Sequence, residues 1–84
     1  MRKDTKALLD KYGYHIDKDK ASVKYFRKDF RKTYAYICIA ENYTNVQLIL
    51  KGVSTYQPSE INVDIKERKI KDFLQIAELY NHMT

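Results

Sequence analysis

The stretch Tyr25–Ile39, YFRKDFRKTYAYICI, decides how the rest of this 84-residue chain is read. Aromatic and β-branched residues flank a basic centre, the pattern of a β-hairpin carrying its charge near the turn. Between Lys18 and Lys32 stand seven Lys or Arg against two Asp, leaving nine of each sign among the chain's 16 cationic and 11 acidic residues. The whole formal net charge of +5 therefore sits in one segment. A clustered excess of this kind points to an acidic partner, either nucleic acid or the acidic surface of a nucleic-acid-handling protein.

Register then predicts which side chains share a face, because directly opposed residues point the same way. A three-residue turn that opposes Lys28 to Lys32 sets Phe26 against Tyr34 and Lys24 against Tyr36. It also sets Tyr25 against Ala35 and Val23 against Ile37. In the following hairpin, a four-residue turn at Asn42–Asn45 sets Ile39 against Leu48 and Ile37 against Leu50. The second set is an apolar face. The first is a basic-aromatic face carrying Lys24, Phe26, Lys28, Lys32, Tyr34 and Tyr36, with Arg27 and Arg31 at its rim. Rings interleaved with cations suit single-stranded nucleic acid, where rings stack on bases and cations follow phosphates. They equally suit a protein partner, since Tyr and Arg are typical hot-spot residues. A solvated sheet face, with tyrosines shielding lysine stems, gives the same pattern.

Working outward, residues 4–12 read as a short helix with Asp4 or Thr5 as N-cap and Leu8, Leu9 and Tyr12 on one side. Gly13 is placed to stop it in the left-handed conformation, with Tyr14 packing back on the helix. Tyr14–Ile16 reads as an extended entry and Asp17–Lys20 as a charged turn. Strands are expected at Ser22–Lys28, Lys32–Glu41, Val46–Leu50 and Ile61–Val63. Residues 53–60 either prolong the third of these past a bulge at Gly52 or form a loop completed by Pro58 and Ser59. Asp64 and Glu67 have capping-box spacing ahead of a helix over 65–82. Its stripe is Ile70, Phe73, Leu74, Ala77 and Tyr80, widened by Ile76, Leu79 and Met83. That width means either deep docking on the sheet or contact with another subunit, a homodimer through the C-terminal helix.

The expected fold is thus a single α+β domain over 1–84: helix, an antiparallel sheet of three to five strands, helix, with both helices on one sheet face. Leu8, Ile37, Ile39, Leu48, Leu50, Phe73 and Ala77 are its expected core. The element order resembles that of double-stranded-RNA-binding domains and of small ribonuclease toxins of similar fold, in topology and without a shared motif. The toxins it resembles carry a histidine early in the strand after the first hairpin. Here that strand reads Ser22-Val23-Lys24-Tyr25-Phe26, so the resemblance implies no ribonuclease activity. The RNA-binding domains it resembles have a basic N-terminus on the last helix. This chain has Lys66, Arg68, Lys69 and Lys71 there, interrupted by Asp64, Glu67 and Asp72.

Catalytic chemistry finds little support in the residue types. Cys38 lies between isoleucines without neighbours that would lower its pKa, and it reads as a buried inert thiol. His15 and His82 have no second ligand at metal spacing, so neither a metal nor another cofactor is expected. Gly13 and Gly52 are isolated, which excludes a glycine-rich phosphate loop. One cysteine, no secretory pattern and no long apolar run give the expectation of a cytoplasmic protein without a membrane partner. The expected function is a non-catalytic binding module acting through the basic-aromatic hairpin. Its alternative is a small inhibitor or adaptor, of the phage or mobile-element type, that docks on a nucleic-acid-processing enzyme.

Overall fold

The computed structural model describes residues 1–52 and 59–83. Helix α1 (Lys3–Lys11) leads into strands β1 (His15–Lys20), β2 (Val23–Asp29), β3 (Thr33–Ala40), β4 (Thr44–Leu50) and β5 (Ser59–Ile65). A single 3-10 turn (Glu67–Lys69) then opens helix α2 (Ile70–Met83). The strands form one antiparallel meander in chain order, β1-β2-β3-β4-β5. The α+β class expected from the sequence is the one observed. Of the stretch 53–60, residues 53–58 lie outside the described residues, while Ser59 and Glu60, offered as the end of a loop, belong to β5, which extends the expected strand Ile61–Val63 at both ends.

Helix α1 ends as its sequence dictates. Gly13 takes φ +86°, its N–H bonds Asp10 O at 3.1 Å, and the Tyr14 N–H reaches Leu9 O at 2.9 Å. This pair of bonds is a Schellman closure, and it turns Tyr14 back into the core. The helix starts differently from expectation. Arg2 is the N-cap, its own side chain makes no cap bond, and Asp4 Oδ1 accepts only the adjacent Thr5 N–H at 3.0 Å. Instead the Glu67 carboxylate, from the far end of the chain, accepts the Arg2 N–H at 2.8 Å and the Thr5 hydroxyl at 2.7 Å. Glu67 cannot then close a capping box with Asp64, which lies in β5 and accepts from Asn45. The long-range pairing outcompetes the local one, and α2 begins later than 65.

Asp17–Lys20, expected as a turn, is part of β1, and Ala21-Ser22 makes the connection. Both following hairpins close through two residues. Phe30 N bonds Thr33 O around Arg31-Lys32, and Ala40 N bonds Tyr43 O around Glu41-Asn42. Two-residue connections are the commonest in hairpins and hold paired strands at their native twist. They also correct both predicted registers. Between β3 and β4, Ile39 faces Thr44 and Ile37 faces Val46, a slide that keeps every face as expected. Between β2 and β3, Phe26 faces Ile37 and Lys28 faces Ala35, not Tyr34 and Lys32. That shift is odd in residue number, so it turns the whole of β2 over.

The reversal follows from what each ring can tolerate. Phe26 is buried to 1% exposure on the helix side of the sheet, whereas Tyr25 at that place would have needed a partner for its hydroxyl. The two lysines carried inward with Phe26 escape at the edges of the covered face. Lys24 pairs with Asp19 at 2.6 Å. Lys28 donates to Tyr12 O at 2.6 Å and forms an ion pair with Glu78 of α2. Their stems pack while the ammonium groups stay partnered.

Both helices lie against this face. Leu9 of α1 and Ile70, Phe73, Leu74 and Ala77 of α2 join Phe26, Ala35, Ile37, Ile39, Val46 and Leu48 in one core. Leu9 takes the inner place, and Leu8, expected there, is half-buried beside it, as is Leu50. Ile76, Leu79 and Met83 are not docked on the sheet. They are 49%, 60% and 77% exposed. No described helix is long and apolar enough to cross a membrane.

Candidate functional site

Among the described residues, the opposite face of the sheet carries no helix. Its side chains follow from the observed register, strand by strand. One row runs His15, Arg27, Tyr36, Gln47 and Asn62 from β1 to β5. The next runs Lys18, Tyr25, Cys38, Asn45 and Asp64. Each row therefore begins with imidazole or ammonium chemistry at β1, passes aromatic side chains, and ends in amide or carboxylate groups at β5. A third, shorter row sets Asp29, Tyr34 and Ile49 side by side.

The tyrosines form a connected patch. Tyr25 and Tyr36 lie 5.8 Å apart between ring centroids, tilted by 32°, and Tyr34 meets Tyr36 edge-on at 6.4 Å. Tyr43, before β4, places its hydroxyl 3.7 Å from Cys38 Sγ. Cations cover two of the rings. The Arg27 guanidinium sits 3.8 Å from the Tyr34 centroid and Lys18 Nζ 5.9 Å from that of Tyr25. The offset and edge-on geometries satisfy the ring quadrupoles, and the cations take the ring faces.

Hydrogen bonds hold the patch in place. Arg27 grips Asp29 in a fork, Nε to Oδ2 and Nη2 to Oδ1, both at 3.0 Å, and Lys51 Nζ lies 3.0 Å from Asp29 Oδ1. The bond from Arg27 is the main reason that the Asp29 carboxyl is held down at about 2, with Lys51 helping and partial burial opposing. Tyr36 donates to Asp17 Oδ2 at 2.7 Å, reaching the residue that bulges out of β1. Burial first, and then that bond, push the Tyr36 hydroxyl up to about 12. Toward β5, Asn45 Nδ2 donates to Asn62 Oδ1 at 3.1 Å and Asp64 Oδ1 at 2.9 Å. Gln47 Nε2 donates to Asn45 Oδ1 at 3.1 Å.

Of the residues predicted for the basic-aromatic face, the structure brings together Arg27, Tyr34 and Tyr36. Arg31 and Lys32 are exposed at the tip of the hairpin between β2 and β3. Lys24, Phe26 and Lys28 are on the covered side, so their placement on the open face is corrected with the register. Sequence reasoning missed Tyr25, which takes the place assigned to Phe26. The choice of Phe over Tyr for the buried position was the available signal. It also missed Lys18, because the charged sequence of residues 17–20 predicts a turn, and the Asn45–Asp64 amide ladder, which depends on pairing across β4 and β5. Cys38 is buried on this face with Tyr43 over it. Among the described residues no cluster of three His, Cys, Asp or Glu has the arrangement to hold a metal ion.

These features define an α+β protein with one sheet face packed against two helices and the other, among the described residues, a tyrosine face without a helix over it. No protein-family model, curated protein or solved structure matches the chain.

Proposed function

We propose that this chain is a non-catalytic binding module whose open sheet face takes single-stranded nucleic acid. The observation that carries the reading is the convergence of Tyr25, Tyr34, Tyr36 and Tyr43 with Arg27 and Lys18 on the uncovered face, beside the exposed Arg31 and Lys32. Tyr36, Tyr43 and the ring faces that Arg27 and Lys18 leave open give bases a stacking surface of any sequence, and Lys18 with Arg31 and Lys32 at the hairpin tip follows the phosphates. The prepaired geometry, with Arg27 fixed by Asp29 and Tyr36 by Asp17, lowers the ordering cost of binding. A lone cysteine, with no disulfide, fits a cytoplasmic setting.

The test is titration of labelled single-stranded DNA and RNA at several salt concentrations with wild type, Lys32→Ala and Tyr36→Ala. Lys32→Ala should weaken binding to all sequences and lower the salt slope by about 0.7–1 per lost phosphate contact. Tyr36→Ala should cost about 1–3 kcal/mol with the slope unchanged, since stacking releases few ions. Wild-type affinity in both variants would overturn the proposal.

One observation favours a second reading. Ile76, Leu79 and Met83 form an exposed apolar row on α2, and Val63 of β5 is exposed as well. A groove of about 180 Å³ lined by Ile61, Val63, Ile65, Phe73 and Ile76 lies between β5 and α2. Such a row suits a protein contact, whether a homodimer or an inhibitor or adaptor seated on a nucleic-acid-processing enzyme. Pull-down with and without nuclease, together with the mass of the purified protein in solution, separates these from binding to bare nucleic acid.

A further inference from the structure

The two rows across the open face end at β4 and β5 in hydrogen-bonding groups, and those groups are not interchangeable. Asn45 is held at both ends of its amide: both its N–H groups donate, to Asn62 and Asp64, and its oxygen accepts from Gln47. Asp64 uses Oδ1 to hold Asn45, and its other carboxylate oxygen lies at an exposed edge-strand position. The ladder thus fixes an acceptor, bearing negative charge, at the far end of the row that contains Tyr25.

This arrangement gives the face a direction. β1 and β2 together carry five Lys or Arg against three Asp, with Asp29 holding Arg27 and Asp17 accepting from Tyr36, whereas β5 carries the acids Glu60 and Asp64 and no Lys or Arg. A phosphate over β5 meets like charge, so the strand's backbone must run over the β1–β2 side and its bases must extend toward β4 and β5. From β2 to β4 is two strand spacings, about 10 Å. The tyrosines occupy the middle of that path, where a base ring would lie.

The geometry points to Asp64, held by Asn45, as a residue that reads base edges and selects bases with an exocyclic amino group over uracil and thymine. This inference rests on the reading of the open face as a nucleic-acid platform. The chemistry is that of the edges themselves. Cytosine presents an N4 amino donor, which a carboxylate accepts. Adenine presents N6, and guanine presents N1–H beside its N2 amino group. Uracil and thymine present a single N3–H between two carbonyl oxygens, so a carboxylate that accepts from it meets acceptors on both sides and finds no amino group. Asp64 discriminates by accepting from one edge and repelling the other.

The experiment compares oligo-dC with oligo-dU of equal length, and the corresponding RNAs, by fluorescence anisotropy at one salt concentration near neutral pH. The two pyrimidines stack alike and differ at the edge in question. Wild type should bind oligo-dC about tenfold more tightly than oligo-dU. Asp64→Asn keeps an oxygen for Asn45 but adds a donor, and should bring the two affinities within about twofold. Asp64→Ala, at an exposed position, should also abolish the preference, and circular dichroism of both variants checks that the fold persists. Equal binding of oligo-dC and oligo-dU by wild type, or a preference kept in Asp64→Asn, overturns the role of Asp64 and leaves the platform standing. No binding of any oligonucleotide by wild type overturns both.

Discussion

Replacing Phe26 by Ala separates the observed register from the one that the sequence suggests. The Phe26 ring is 1% exposed, opposite Ile37 of β3 and beside Ile16 of β1. Deleting a buried phenylalanine side chain costs about 3–5 kcal/mol, from lost transfer energy and the cavity left behind. A domain of 84 residues has roughly 4–13 kcal/mol of total stability, so this one change removes a large fraction of it. Tyr25→Ala is the matched control. Tyr25 is half-buried on the open face, and its loss sacrifices ring contacts with Tyr36 worth about 0.5–1.5 kcal/mol. The gap between the variants is then at least about 1.5 kcal/mol, or roughly 6–12 °C in melting temperature for a domain this small. Urea unfolding followed by far-ultraviolet circular dichroism measures both. Equal losses, or a larger loss for Tyr25→Ala, would refute the placement of β2.

Tyr14 is buried, and its hydroxyl makes no hydrogen bond with the described residues, so Tyr14→Phe should be neutral or stabilising. A loss above about 1 kcal/mol by urea unfolding would contradict that. The Asp29 carboxyl titrates at about 2, below its ordinary 3.8, so its contribution is fully present above 3.8 and is lost as pH falls toward 2. Its side chain is 44% exposed, so solvent screening limits the contribution to about 1 kcal/mol or less, and Asp29→Asn should flatten the acid limb of stability by that amount. An unchanged acid limb in Asp29→Asn would count against the Arg27–Asp29–Lys51 cluster as a stabilising unit. Incubation with RNA, DNA and nucleotides should leave them intact on gels and by chromatography. Cleavage that disappears in His15→Ala would show catalysis instead.

How much of this was legible depends on which contacts are local. The stop of α1 at Gly13, the inward turn of Tyr14 and the stripe Ile70–Phe73–Leu74–Ala77 all rest on neighbours within a turn or two, and all appear as expected. The faces of β3 and β4 also survived, because sliding that hairpin by a whole pleat period leaves side-chain direction unchanged. β2 did not survive, since its orientation hangs on a turn of two rather than three residues between like-charged ends. The register opposing Lys28 to Lys32 sorts apolar from basic-aromatic residues onto separate faces, and that sorting carries Phe26 to the open one. What resolves the conflict is non-local: Asp19 waits for Lys24, and Tyr12 O and Glu78, 50 residues away from it in sequence, take Lys28. The same holds for Glu67, read as half of a local capping box, which instead joins the start of α1 to the start of α2. Of the candidate site, Arg27, Tyr34 and Tyr36 could be read from the hairpin alone. Tyr25, Lys18 and Asp64 needed pairings that a linear pattern does not contain.

The claim on which the rest depends is that the uncovered tyrosine face is where a nucleic acid strand lies. Two-dimensional NMR of ¹⁵N-labelled protein, titrated with a short single-stranded oligonucleotide containing all four bases, tests it residue by residue. The shifted amides should cluster at Tyr25, Arg27, Tyr36, Asn45 and Gln47, with the hairpin tip at Arg31 and Lys32, while α1 and α2 stay in place. Shifts confined to α2 around Ile76 and Leu79, or no shifts at all, would contradict the claim.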